Sequence, residues 1–195
     1  MALTDSNKQQ FTYADYCRWP EDERWELIDG VAYNMTPAPS LFHQGVSVEL
    51  VRQIANFLQH KPCRVFSAPF DVRLPDGDEA DGDVVTVVQP DLAVICDPDK
   101  LDDKGCRGAP DWIVEVLSPS TAAKDQVKKA ELYQRHGVRE YWTVHPVDRV
   151  VTVRVLDQTG RYSGLKILEG KGQLNVNVLP ELVIDFDLVF PETQA

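Results

Sequence analysis

Trp112-Ile113-Val114-Glu115-Val116-Leu117-Ser118-Pro119-Ser120-Thr121 is the stretch that decides how this chain is read. Its first six residues are an apolar run broken by one carboxylate. Such runs belong to strands buried on both faces of a sheet. Its last four are small and polar, the chemistry of a helix start. A buried strand running into a capped helix implies an α/β architecture. An ionised Glu115 inside that strand costs several kcal/mol unless a cation, a metal or several donors meet it. Glu115 therefore either lies at the wet end of its strand, is satisfied by a structural arginine, or belongs to a functional site.

Asp91 is the second acid of this kind. It follows Pro90 at the mouth of the apolar strand Leu92-Ala93-Val94-Ile95-Cys96, 24 residues before Glu115. Alone it is a turn entering a strand. On neighbouring strands, the two acids would bring like charges together, a conflict that a hard cation such as Mg²⁺ removes. The helix after Ser118 offers a third element. At about 100° per residue, Lys129 falls on the face made by Ala122, Gln126, Leu132 and Tyr133, whereas Lys124 and Lys128 point roughly 100–140° away. Lys129 either snorkels along its stem or meets the Asp91 and Glu115 carboxylates. Glu26, in Trp25-Glu26-Leu27-Ile28-Asp29-Gly30, is a further acid in an apolar strand, structural or functional.

The rest of the chain fits around this core. Thr12 opens a short helix over about 12–19, bounded by Pro20. Residues 24–36 read as two strands joined at Asp29-Gly30, a strong hairpin signal. Ser40 caps a long helix in which Val46, Leu50, Ile54 and Phe57 share one face, with His43 near its start as a polar or capping residue. Strand-rich segments follow at about 63–74, 84–88, 91–96 and 112–117, then the second helix, stopped by Gly137, and a strand at 140–145. Segments 149–157 and 161–168 form a hairpin, and the apolar residues Val176, Val178, Leu182, Val183, Ile184 and Phe186 either close the sheet or make a dimer contact. The expectation is one domain over 1–195 with an α/β core of helix, three strands, helix, strand around a mixed sheet, flanked by an N-terminal hairpin and extra C-terminal strands.

Composition limits the partners. The 195 residues are 43% hydrophobic and carry a net charge of -11, which argues against a basic coat for nucleic acid. The charge is unevenly placed, however. Eleven acids against two bases between Asp71 and Asp103 account for -9 of it, while Lys124 to Arg139 is net +3. The densest acidic piece, Pro75 to Asp83, puts Ala80, Asp81 and Val87 where a calcium loop needs Asp or Asn, Gly and Glu, so it reads as a solvated hairpin loop. Cys17, Cys63, Cys96 and Cys106 have no zinc-ligand spacing and read as reduced thiols. The N-terminus has no apolar targeting region and no stretch is long enough to span a membrane, so a cytoplasmic protein is expected. G-x-S-x-G, P-loop and G-x-G-x-x-G motifs are absent from the sequence.

Pro90-Asp91, Glu115-Val116-Leu117-Ser118-Pro119-Ser120, Asp125, Lys129, Glu131-Leu132-Tyr133, Gly137-Val138 and Glu140-Tyr141-Trp142 together resemble the Uma-type restriction endonuclease family of the PD-(D/E)xK superfamily. Trp25 to Gly30 and His43 resemble its N-terminal signature, so the resemblance covers about 25–190. It implies a restriction-endonuclease-like α/β core and a Mg²⁺-dependent endonuclease acting on DNA, often as a homodimer. Asp91 and Glu115, with the Val116 carbonyl, would hold Mg²⁺ or Mn²⁺. Leu117 replaces the lysine of the parent motif, and Lys129 would take over its role. Glu26 would add a ligand or position a second ion, and His43 would be accessory. Lys124, Lys128, Arg135 and Arg139 are candidate contacts to DNA phosphates, though a solvated helix face explains them equally well. The alternatives are a catalytically inactive nuclease-fold binding or assembly protein and a metal-dependent hydrolase of small phosphate esters.

Overall fold

The computed structural model describes residues 10–20, 22–35, 40–119 and 122–190. At the N-terminal end, α1 (Tyr13–Tyr16) is a single turn, held by the Asp15 carboxylate accepting from the Thr12 N–H at 3.0 Å, and is shorter than the sequence suggests. Strands β1 (Trp25–Ile28) and β2 (Val31–Asn34) form the expected hairpin. Asp29 and Gly30 both have positive φ, 53° and 75°, the backbone that a tight two-residue turn demands. The Ser40 hydroxyl accepts from the His43 N–H and starts α2 (Leu41–Leu58), which buries Val46, Leu50, Ile54 and Leu58.

Six short strands follow: β3 (Arg64–Ser67), β4 (Val72–Arg73), β5 (Val87–Val88), β6 (Leu92–Ile95), β7 (Leu101–Asp102) and β8 (Gly105–Arg107). The decisive stretch is β9 (Trp112–Val116), buried at all five positions. Beyond it, residues 122–136 are helical, with a π-helical segment at Lys124–Lys129 leading into α3 (Ala130–His136). Gly137, at φ 83°, ends the helix in the left-handed region. Strands β10 (Glu140–His145), β11 (Val150–Leu156), β12 (Tyr162–Glu169), β13 (Gln173–Asn175) and β14 (Val183–Asp185) and the turn α4 (Phe186–Val189) complete the order. Ser120 and Thr121, expected in the helix cap, lie outside the described residues.

The main sheet runs β12-β11-β10-β9-β6-β3, with β9 and β10 parallel and the other neighbours antiparallel. Helix α2, β3, β6, β9, the helix through 136 and β10 are the expected helix, three strands, helix, strand. Alternation along β9 divides the core. Trp112, Val114 and Val116 pack towards α2, and Ile113 packs towards Leu132, Tyr133 and Tyr141 on the other face.

Two arrangements differ from the sequence reading. The N-terminal hairpin is part of a second six-stranded sheet, β2-β1-β5-β4-β8-β7, which covers the face of the main sheet that carries α3. The C-terminal strands neither close the main sheet nor remain bare: β13 and β14 pair as a separate ribbon whose Ile184, with Val176, Leu182 and Phe186, is buried against the α2 side.

The cysteine expectation is corrected. Cys63 and Cys96 form a disulfide, while Cys17 and Cys106 are free. The register Arg64↔Ile95 continues to Cys63 and Cys96, so strand pairing brings together two residues 33 apart in sequence. The acidic loop is also more than a solvated turn. The Arg73 guanidinium, fully buried, is clamped by Asp81 at 2.5 Å and Asp102 at 2.6 Å. A buried guanidinium requires such partners, and two of the eleven acids supply them.

Candidate active site

Strand pairing brings the two acids of the main sheet together. Antiparallel β6 and β9 have the register Leu92↔Val114, which brings Asp91, just before β6, to the end of β9 that carries Glu115 and Val116. Asp91 Oδ2 accepts from the Val116 N–H at 2.8 Å, which pins its carboxylate to the end of β9. His43 Nε2 lies 3.2 Å from the same oxygen, and the imidazole is also hydrogen-bonded to the Val116 backbone. Burial favours the neutral ring, but Asp91 and Val116 outweigh it and raise the His43 pKa.

Glu115 faces the opposite layer. Its Oε1 accepts from Lys129 Nζ at 2.8 Å and from the Tyr133 hydroxyl at 2.9 Å. Lys129 Nζ is also 2.7 Å from Glu26 Oε1 and 3.5 Å from Asp125 Oδ1. Lys129 is only 2% exposed and Glu26 not at all, so this is a buried ionic cluster assembled from both sheets and the helix. Lys124 Nζ adds a second ammonium, 2.6 Å from Glu26 Oε2. Three carboxylates thus face two ammonium groups, and Asp91 lies close by. Burial, with Asp125, Asp91 and Glu26 adding to it against Lys129, pushes the Glu115 pKa up to about 8. Burial would also raise Glu26, but Lys129 and Lys124 prevail and hold it below the ordinary carboxylate value.

The π segment explains why the two lysines converge. At α-helical spacing Lys124 points away from Lys129, as the sequence analysis expected. Hydrogen bonds of the i→i+5 kind rotate the chain less per residue, so residues five apart come nearer to one face. Both lysines then reach Glu26. Lys128 also finds a partner, donating to the Tyr33 hydroxyl and lying 4.3 Å over its ring. Arg135 pairs with Asp29, and Arg139 lies 3.0 Å from Asp111. All four candidate phosphate contacts are therefore engaged within the protein, and only Lys124 is drawn into the cluster. Asp125, Tyr133 and Tyr141, whose hydroxyl donates to the Asp125 carbonyl at 2.8 Å, are site neighbours that the sequence analysis did not single out as functional. Tyr133 was legible as part of the Lys129 face, and Asp125, four residues before Lys129, lies on that face at α-helical spacing too.

The sequence profile of the Uma2 family, described as "Putative restriction endonuclease", matches residues 13–187. The chain belongs to the Uma2 family. Its sequence is similar to that of a Synechocystis protein, "Uncharacterized protein slr1290", at 31% identity over 121 residues, or 61% of this chain. The aligned region spans 60% of that relative's length. The fold of this Uma2 chain is similar to the crystal structure of a putative nuclease belonging to DUF820 from Anabaena variabilis, with a TM-score of 0.72 at 19% identity. That likeness covers 92% of this chain and 97% of the other. The architecture is the restriction-endonuclease-like α/β fold.

Whether the site suits a divalent cation is a question of donor chemistry. Among the described residues, no three His, Cys, Asp or Glu side chains form a preassembled cluster. Mg²⁺ does not need one, because it keeps several waters and takes one or two carboxylates beside substrate oxygens. Asp91, just before β6, and Glu115 with the Val116 carbonyl on β9 are oxygen donors of that kind. Burial chiefly raises Glu115, and the neighbouring Asp125, Asp91 and Glu26 charges that add to it are what a divalent ion would offset. The residues fit the ion. Among the described residues no helix is long and apolar enough to cross a membrane.

Proposed function

We propose that this chain is a Mg²⁺-dependent endonuclease that hydrolyses DNA phosphodiester bonds. The observation that carries the reading is that Asp91, bonded to the Val116 N–H at 2.8 Å, is held at the end of β9 next to Glu115, with the Lys129 ammonium 2.8 Å from Glu115. Asp91, Glu115 and the Val116 carbonyl would hold Mg²⁺, with Mn²⁺ as a substitute. When bound, the ion supplies Lewis-acid polarisation of the phosphate and lowers the pKa of an attacking water.

The protein's own groups do the rest. Lys129 is held between Glu26 and Glu115 by two short ion pairs, so its ammonium is fixed before substrate arrives. It orients the attacking water or offsets charge growing on the phosphoryl oxygens, a contribution that needs little reorganisation in a preformed site. Glu26, anchored by Lys124 and the Gln89 N–H, positions Lys129. The Tyr133 hydroxyl orients the Glu115 carboxylate. His43 acts as an accessory group that holds Asp91 in place through its 3.2 Å contact. Phosphate contact by Lys124, Lys128, Arg135 or Arg139 would exchange an internal partner for a phosphate, so binding through the backbone is weak and sensitive to salt. The homodimer and the cytoplasmic location that the family resemblance and the sequence suggest belong to the same proposal, and sedimentation tests the first.

A second reading is favoured by one observation: Lys129 and Tyr133 already satisfy Glu115, as they would in a binding or assembly protein that keeps the fold without the activity. Incubating the purified protein with plasmid and with single-stranded and branched DNA in Mg²⁺ or Mn²⁺ separates the two. The nuclease reading expects metal-dependent cleavage that disappears in Glu115→Ala. Equal behaviour of both proteins with either ion selects the inactive reading, and turnover of a chromogenic phosphodiester without cutting of DNA selects a small-ester hydrolase.

A further inference from the structure

Leu41 and Phe42 form the first turn of α2, yet they leave 83% and 63% of their surface exposed. The buried face of that helix begins only at Val46. The next residue after Phe42 is His43, whose ring lies 3.2 Å from Asp91. An exposed aromatic ring therefore stands one residue from the group that touches the proposed catalytic carboxylate. Phe42 thus shares the first turn of α2 with the group that touches Asp91.

The second observation concerns charge. The chain carries a net charge of -11, and its candidate phosphate contacts are engaged: Lys124 with Glu26, Lys128 with Tyr33, Arg135 with Asp29 and Arg139 with Asp111. Capturing a duplex by its backbone draws on cations free to neutralise phosphates. Stacking of a base on an aromatic face makes no such demand, and it is open to any base that is not already stacked between its neighbours. Apolar side chains inserted at a base step also hold it open.

We propose that Phe42, flanked by Leu41, stacks on an unpaired base beside the scissile phosphate, so that the DNA cut by this protein is single-stranded or locally opened. The proposal rests on the nuclease reading of the Asp91 and Glu115 site. Phe42 is a substrate-binding residue in this scheme and takes no part in the chemistry. Because its ring is exposed, its removal leaves the core intact.

The test measures binding of a labelled single-stranded oligonucleotide, and of the same sequence as a duplex, to the full chain in Ca²⁺, together with cleavage in Mg²⁺ and Mn²⁺. Wild type is expected to favour the single strand at least tenfold, with a shallow dependence on salt. Phe42→Ala should lose about tenfold to a hundredfold of single-strand affinity at an unchanged melting temperature. Phe42→Trp should retain it, with a change in indole emission on binding beyond that of wild type. If wild type cuts DNA and Phe42→Ala binds and cuts the single strand equally well, stacking is overturned and the nuclease reading stands. If Phe42→Ala instead lowers the oligomeric state with single-strand affinity unchanged, the patch is a contact between copies of this chain and the proposal is again overturned. If wild type neither binds nor cuts any form of DNA, both readings fall together.

Discussion

Replacing Lys129 with methionine tests whether one ammonium holds the buried cluster together. The Nζ atom lies 2.7 Å from Glu26, 2.8 Å from Glu115 and 3.5 Å from Asp125, and these four side chains are at most 5% exposed. Removing one partner of such a group costs about 3–5 kcal/mol, because the stranded carboxylates must be desolvated or protonated. Glu26 keeps Lys124, so the loss falls on Glu115 and Asp125. Burial already pushes the Glu115 pKa up to about 8, and without Lys129 it rises further. A carboxyl whose folded pKa exceeds its unfolded value contributes stability that is complete below the unfolded pKa and lost as pH rises through the folded one. Lys129→Met should therefore lose about 3 kcal/mol at pH 6 and about 5 kcal/mol at pH 9. At about 2–4 °C per kcal/mol for a chain of this size, the melting temperature should fall by roughly 10–20 °C at pH 9. Differential scanning calorimetry of wild type, Lys129→Met, Glu115→Gln and the double variant at both pH values gives the coupling directly. The double variant should regain most of the loss at pH 9. A shift that is small and independent of pH, or a double variant no better than Lys129→Met, refutes the reasoning.

Other outcomes follow from the same geometry. Mg²⁺ at a hundredfold excess over its dissociation constant should raise wild-type stability by about 2.7 kcal/mol, and Asp91→Ala should abolish the effect in a thermal scan. Because Glu115 must lose its proton, and the proton favoured on His43 by Asp91 opposes a cation there, apparent affinity for Mg²⁺ should climb from pH 6 to about pH 8, with proton release seen by calorimetry in two buffers. A pH-independent affinity contradicts this. Reducing the Cys63–Cys96 bridge, which spans 33 residues, should cost about 3–4 kcal/mol, and Cys63→Ser should melt at the same temperature with and without reductant. Arg73→Met should destabilise by about 1.5–3 kcal/mol in chemical denaturation through loss of its charged hydrogen bonds, since Asp81 keeps Lys104 and Arg107 and Asp102 reaches solvent; an unchanged stability contradicts this.

The fold was legible where long elements carry their own period. Val46, Leu50 and Ile54 announce α2, the unbroken apolar run announces β9, and Asp29-Gly30 announces the hairpin. The second sheet was not legible, because β4, β5, β7 and β8 are two or three residues long and offer no alternation to read. The disulfide escaped for a different reason: it is set by the β3–β6 register, which spacing alone does not reveal. In the site, Glu115 and Lys129 stood out because charges in apolar surroundings need partners, and the structure pairs them. Asp91 is held at the end of β9 by the Val116 N–H. The inward turn of Lys124 was hidden, since angular arguments assume α-helical geometry and residues 124–129 form a π segment, whereas Asp125 sits four residues from Lys129 and was open to an i,i+4 reading. The engaged states of Lys128, Arg135 and Arg139 depend on Tyr33, Asp29 and Asp111, distant residues that no local pattern links to them.

The central claim is that Asp91 and Glu115 together hold a divalent ion beside Lys129. Anomalous diffraction from a Mn²⁺-soaked crystal measures this directly. The account predicts one peak coordinated by oxygens of Asp91 and Glu115 and by the Val116 carbonyl, absent in Glu115→Ala. A crystal with no peak there, in which Lys129 and Tyr133 still occupy Glu115 at saturating Mn²⁺, would contradict it.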